Sequence, residues 1–160
     1  WQKERIASLI VEKLFGTVTN KKIALFGFSF KANTNDTRES PSISIAKDLI
    51  ENGANLMISD PQVLPSQIEK ELCIRESKVT SQSEGGWTFN NDLRECVKDA
   101  DALVILTAWE EYKMLDFEDF SKLMRKPSWV FDTRKVISRD SIKGTSIKFW
   151  QIGTGTSNSV

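Results

Sequence analysis

Residues Ile23 to Pro41, reading IALFGFSFKANTNDTRESP, constrain the fold more than any other stretch of the chain. An apolar run breaks at Gly27, and a polar loop with Lys31, Asp36, Arg38 and Glu39 follows. Ser40-Pro41 then opens a segment with Ile43, Ala46, Leu49 and Ile50 on one helical stripe. A continuous apolar run predicts a strand buried on both faces, Lys22 to Phe26, as parallel sheets require. Ser40 suits a helix N-cap, and Pro41 suits the first helical position, where its missing N–H costs nothing. Strand, long loop and helix are the opening of a βαβ unit.

The rest of the chain repeats that alternation. Ile6, Leu9, Ile10, Leu14 and Phe15 are spaced for an amphipathic helix over residues 1–15, closed by Gly16. Further strands are predicted at Ala54–Ser59, Trp87–Phe89, Ala102–Leu106, Ser128–Phe131 and Ser146–Trp150. Helices are predicted at Pro65–Ile74, after a capping Asp92, and over Trp109–Met124 with a break near Leu115-Asp116. Residues 76–86 are polar and read as a mobile excursion, and the GTGTSNSV tail as disordered. The expected fold is α/β: a doubly wound, Rossmann-like, mostly parallel sheet of about six strands with helices on both faces. Ligands of such sheets lie beyond the carboxyl ends of the strands, where strand order reverses. The segments brought there are Gly27–Ser40, Asp60-Pro61, Thr107–Trp109 and Asp132–Lys135.

Composition narrows the chemistry. Basic and acidic residues number 22 each, so the overall balance gives no footprint for nucleic acid or an anionic membrane. No apolar run reaches membrane-spanning length. The sequence has no histidine, which excludes a Ser-His-Asp triad, a Cys-His pair and an ordinary zinc enzyme site within this chain. Cys73 and Cys96 match no metal or disulfide framework and suit a reducing, cytoplasmic setting. No metal site is expected. The start at Trp1 rather than Met gives the expectation of a piece of a longer polypeptide.

The loop after the first strand lacks the glycines of a dinucleotide fingerprint, and it is not a P-loop either. It does carry Lys31 and Arg38, with Arg134 on the same sheet edge. Three cations there suit an anionic ligand such as a diphosphate, and the start of the helix at Ser40 adds N–H groups and a favourable dipole. The alternative is three solvated surface charges paired with Asp36, Glu39 and Asp132. Residue types and spacing leave both readings open.

The segment KKIALFGFSFKANTNDTRESPS resembles the opening of the UDP-binding C-terminal domain of the UDP-glucose 6-dehydrogenases. ISDPQV, ADALVILTAWEEYKMLDF and WVFDTRKV resemble later parts of the same domain, in the same order. The resemblance implies NAD-dependent, two-step oxidation of UDP-glucose to UDP-glucuronate by a longer enzyme, expected to be a homo-oligomer. Its NAD-binding domain and catalytic cysteine would precede this chain, so no catalytic residue is expected here. Residues 1–16 would end a central inter-domain helix, residues 17–151 would form the UDP-sugar-binding domain, and residues 152–160 a tail. By resemblance Phe30 and Lys31 contact the UDP-sugar, Ala32, Asn33, Thr34, Asn35, Asp36 and Thr37 complete that site, Arg134 contacts substrate, and Arg38 reaches NAD. Phe30 equally suits a core position beside the turn.

Two departures from the family pattern bear on the site. Asn33 and Asn35 stand where the animal enzymes usually have Asp and Gly, so Asn35 is expected to hold the left-handed turn. Thr133 replaces a glycine, which would strain the backbone beside Arg134 if that position needs positive φ. Rival readings are a related enzyme acting on GDP-mannose or an N-acetylated UDP-sugar, and a non-catalytic nucleotide-sugar module. Asp60 lies 33 residues beyond Gly27, further than the spacing of about 20 for a ribose-binding carboxylate, and reads first as a turn former with Pro61. Trp109 and Cys96 read mainly as packing residues.

Overall fold

A computed structural model describes residues 2–77 and 84–153. Six strands form one sheet: β1 (Lys22–Phe26), β2 (Asn55–Ser59), β3 (Gly86–Phe89), β4 (Ala102–Ile105), β5 (Trp129–Asp132) and β6 (Lys148–Gln151). Their spatial order is β3-β2-β1-β4-β5-β6, and every neighbouring pair is parallel. The expected doubly wound architecture is therefore present. The order reverses between β1 and β4, where Phe26 pairs in register with Ile105. The crevice beyond those two strand ends is the ligand position of such a sheet.

Each central strand divides its side chains between two cores. Ile23 and Leu25 join one cluster while Ala24 and Phe26 join the other. Ala102 and Val104 alternate in the same way with Leu103 and Ile105. This period of two is why an unbroken apolar run is needed to fill both faces. The first face is covered by α1 (Gln2–Lys13), α2 (Pro41–Glu51) and α3 (Pro65–Leu72), which contribute Ile10, Leu49 and Ile68. The second is covered by α4 (Leu93–Val97), a 3-10 turn (Glu110–Met114), α5 (Phe117–Leu123) and α6 (Arg139–Ile142). Phe26 packs there on Tyr112 and Phe120, with ring centroids 5.5 and 6.4 Å apart. Each such aromatic or aliphatic residue buried from water contributes about 1.5–3 kcal/mol.

Most element boundaries follow the expected signals. The side chain of Ser40 accepts from Ser42 N, and Pro41 occupies the first turn of α2. Asp92 caps α4 by accepting from the backbone N–H groups of Arg94 and Glu95. The break at Leu115-Asp116 separates the 3-10 turn from α5, which Asp116 caps through Asp119 N. The short α6 has no counterpart in the sequence reading. The stretch expected as a mobile excursion is tied down at its described ends. Ser77 N donates to Trp87 O and its carbonyl accepts from Thr88 Oγ1, while Glu76 accepts from Phe89 N. The middle of that excursion and residues 154–160 of the tail lie outside the described residues. Among the described residues no helix is long and apolar enough to cross a membrane.

Candidate functional site

The loop after β1 starts at Gly27, whose φ of +97° only glycine adopts without strain. A Cβ at this position would lie 2.5 Å from Thr107 Cβ, so the β1 turn and the β4 turn are in direct apposition at the switch point. Thr107 Oγ1 donates to Ser29 O at 3.0 Å and locks the two turns together. Gly27 N donates to Ser59 O, which ties the same turn to β2 on the other side.

Phe28 and Ser29 are buried, and the chain turns outward at Phe30. Phe28 is fully buried in the first core, whereas Phe30 keeps 46% of its surface exposed. The structure thus separates two phenylalanines that the sequence could not tell apart: Phe28 packs, and Phe30 presents its ring to solvent beside Lys31. Residues 30–36 form a closed excursion, with Phe30 N donating to Asp36 O at 2.7 Å. Asp36 N donates to Thr34 Oγ1, and the Gln67 side chain of α3 donates to Asn35 O. Ala32 packs on the second core, and Thr37 is buried. Ser40, also buried, donates from its hydroxyl to Phe28 O at 2.9 Å and closes the loop from behind. Its Oγ meanwhile caps Ser42 N, so the start of α2 is fastened to the loop rather than bare.

The expected turn geometry shifts by two residues. Positive φ falls at Asn33 (65°) and Glu39 (59°), and Asn35 is not among the positive-φ residues. Asparagine tolerates the left-handed region better than most residues, so Asn33, not Asn35, carries that demand.

The three cations behave differently. Arg38 is ion-paired to Asp36 through both carboxylate oxygens, as the surface-charge reading anticipated. Its hydrogen bonds from side chain and backbone hold the Asp36 carboxyl at about 2, below the usual carboxylate range, with a smaller contribution from the nearby Lys31 charge. Lys31 and Arg134 are exposed, and among the described residues neither forms an ion pair. Asp132, the anticipated partner of Arg134, is turned inward and fully buried. Its Oδ1 accepts from Arg134 N, and its Oδ2 accepts from Ile137 N and the Gln151 side chain. The carboxylate therefore fixes the backbone that carries Arg134 and leaves the guanidinium outside. Arg134 Nη1 lies 3.4 Å from Leu106 O, the residue before Thr107. The β5 turn and the β1 loop thus flank Leu106 and Thr107, the two residues that follow β4.

Thr133 is unstrained. Its backbone N–H and its hydroxyl both donate to Ile105 O, at 3.2 and 2.7 Å, and positive φ falls instead on Lys135 (56°). The concern for the aim of Arg134 is removed.

Asp60 is the residue whose role the sequence understated. It forms the expected turn, with Oδ1 accepting from Gln62 N and Val63 N. Its Oδ2 also accepts from Phe28 N and Ser29 N, at 2.7 and 3.0 Å, and from Trp109 Nε1 at 3.4 Å. Trp109 is buried, as its packing role required. Cys96 is buried in the second core, which pushes its thiol up to about 12, while Cys73 is exposed. A small recess among Lys22, Asn55, Trp87 and Thr88 lies at the amino ends of the strands, away from these loops, and has room for little more than a water molecule.

The sequence that builds this carboxyl edge, from the Phe-Lys loop to the Asp132-Thr133-Arg134 turn, matches a family model. The model is that of the UDP-glucose/GDP-mannose dehydrogenase family, UDP binding domain, and the match runs over residues 24–139. The chain belongs to this family. Among curated relatives, the UDP-glucose 6-dehydrogenase of Rattus norvegicus is 45% identical over 137 residues, covering 86% of this chain and 28% of that protein. UDP-glucose 6-dehydrogenase 1 of Glycine max is 38% identical over 162 residues, covering 96% of this chain and 34% of that protein. The chain therefore spans about a third of the length of these relatives. The fold is shared with an NDP-N-acetyl-D-galactosaminuronic acid dehydrogenase from Methanosarcina mazei Go1, with a TM-score of 0.72 and 24% identity over 95% of this chain and 28% of that one. A UDP-glucose dehydrogenase from Pyrobaculum islandicum gives a TM-score of 0.66 at 23% identity, over 94% of this chain and 29% of that one. Within the family match lie both the 30–38 loop and Arg134.

Proposed function

We propose that this chain is the UDP-sugar-binding part of an NAD-dependent UDP-glucose 6-dehydrogenase, with residues 17–151 forming that domain and residues 1–16 ending a helix that leads in from an NAD-binding part. The observation that carries this reading is that two exposed cations without an ion-pair partner among the described residues, Lys31 and Arg134, lie on loops that flank Leu106-Thr107 at the switch point. The 35–45% identity to UDP-glucose 6-dehydrogenases supports UDP-glucose, with UDP-glucuronate as product, over other nucleotide sugars.

In this reading the diphosphate takes charge-assisted hydrogen bonds from Lys31 and Arg134, which suits arginine as a bidentate donor and lysine as a point charge. The exposed ring of Phe30 offers an apolar face beside them, and Ala32–Thr37 complete the wall. Neutralising a diphosphate in a cleft draws the ligand in and fixes its orientation, which is the domain's contribution to catalysis.

NAD supplies the hydride acceptor in this family reaction. Within this chain the resemblance assigns Arg38 to NAD, while the N–H groups of Phe28 and Ser29 in the β1 turn already donate to Asp60. Arg38, with its side chain 86% exposed, would exchange Asp36 for NAD held across the cleft. The nucleophile, the bulk of the NAD site and the homo-oligomeric contacts belong to the rest of a cytoplasmic enzyme. Titration of the chain with UDP tests the reading: saturable binding that perturbs residues 30–38 and 133–135 supports it, and no binding refutes it.

A further inference from the structure

The five hydrogen bonds to Asp60 have one feature in common: every partner is a donor. Phe28 N, Ser29 N, Gln62 N, Val63 N and Trp109 Nε1 all point at one carboxylate that is 1% exposed. A turn of consecutive backbone N–H groups after the first strand is the place where a Rossmann-like sheet binds a phosphate. Here that place is taken from within the protein. We propose that Asp60 is the built-in anion of the β1 turn. It closes the turn to phosphate and positions Phe30 and Lys31 to take the ligand further out along the loop. This inference rests on the UDP-sugar reading above.

The chemistry makes the role specific to a carboxylate. Asparagine offers one acceptor oxygen and an NH2 group that only donates. In Asp60→Asn, whichever way the amide is turned, its NH2 faces N–H groups, so either the 28–29 turn or the 62–63 turn loses its acceptor. Backbone N–H groups buried without a partner are costly, so the turn must shift. Asp60 touches no ligand in this scheme. It is a positioning residue, acting through the backbone at Phe28 and Ser29.

The test uses amide NMR and UDP titration on the 160-residue chain and on two variants, Asp60→Asn and Asp92→Asn. Asp92 caps α4 and serves as the control for loss of a carboxylate that accepts backbone N–H bonds elsewhere. In the wild type, UDP and inorganic pyrophosphate are expected to move the amides of residues 30–38 and leave those of Phe28 and Ser29 nearly unmoved. Folded Asp60→Asn is expected to bind UDP at least about tenfold more weakly, while Asp92→Asn loses stability but keeps wild-type affinity. Wild-type affinity in folded Asp60→Asn overturns the proposal. Dominant pyrophosphate shifts at Phe28 and Ser29 in the wild type also overturn it, and that arm decides the matter if Asp60→Asn does not fold. Absence of UDP binding by the wild type instead removes the UDP-sugar reading, and this proposal with it.

Discussion

Arg38 grips both carboxylate oxygens of Asp36, with Nε 3.1 Å from Oδ1 and Nη2 3.0 Å from Oδ2. The pair lies inside the loop that carries Lys31. It keeps the one cation expected to reach a cofactor folded back on its own loop.

The Asp36 carboxyl sits at about 2 in the folded chain against an ordinary 3.8, chiefly because Arg38 hydrogen-bonds its charged form. A depressed carboxylate stabilises the fold above its unfolded pKa, and that contribution fades as pH falls from about 4 towards 2. Side-chain NMR of Asp36 is expected to give a midpoint near that low value. Arg38→Ala should move the midpoint back up towards the ordinary one. An unchanged midpoint in Arg38→Ala would show that the pair does not form in solution.

Gly27→Ala should be strongly destabilising. Its added Cβ meets Thr107 Cβ and Oγ1 at 2.5 Å and Thr107 N at 2.7 Å, at a φ alanine resists. Backbone strain and overpacking together cost about 2–4 kcal/mol. Urea unfolding measures this directly, and a loss under about 1 kcal/mol would contradict the apposition of the two turns.

Asn33 and Asn35 should respond differently to a β-branched residue. Asn33→Val places valine at φ 65° and is expected to cost about 1–2 kcal/mol, whereas Asn35→Val should cost clearly less. The comparison uses the two unfolding midpoints. Equal losses would mean that the left-handed position is misplaced.

The two thiols should separate cleanly. Burial pushes Cys96 up to about 12, while Cys73 is exposed. A thiol reagent at pH 8 is expected to label Cys73 quickly, and Cys96 only after unfolding, because the thiolate is the reactive form. Fast labelling of two equivalents in the native chain would contradict the packing of α4.

The strands were legible because burial on both faces leaves an unbroken apolar signature, and Lys22–Phe26 coincides with β1 to the residue. The helix after the loop was legible because Ser40-Pro41 is a local signal. The short α6 was not, since four residues with only Ile142 buried carry no helical period. The site was half legible. Lys31, Arg38 and Arg134 stand out as charges. What fixes their loops is long-range: Thr107 to Ser29, Gln67 to Asn35, and Asp60 to Phe28. The spacing of Asp60 from Gly27 argues against a ribose-binding role, yet its carboxylate organises the turn, a role that spacing does not report. The position of a family glycine points to Asn35, whereas the left-handed residue is Asn33, two residues earlier.

In the proposed function, Lys31 and Arg134 together hold a UDP-sugar at the carboxyl edge of the sheet. One amide NMR titration series of the chain, Lys31→Ala and Arg134→Ala with UDP-glucose, with UDP, GDP and NAD run on the wild type, tests this arrangement. UDP and UDP-glucose are expected to shift residues 30–38 and 133–135, with weaker responses to GDP and NAD. Each substitution should weaken UDP-glucose binding by about 1.5–3 kcal/mol, the scale of a charge-assisted hydrogen bond. Wild-type affinity in both variants, or an equal response to GDP, would contradict a UDP-sugar site formed by these two residues.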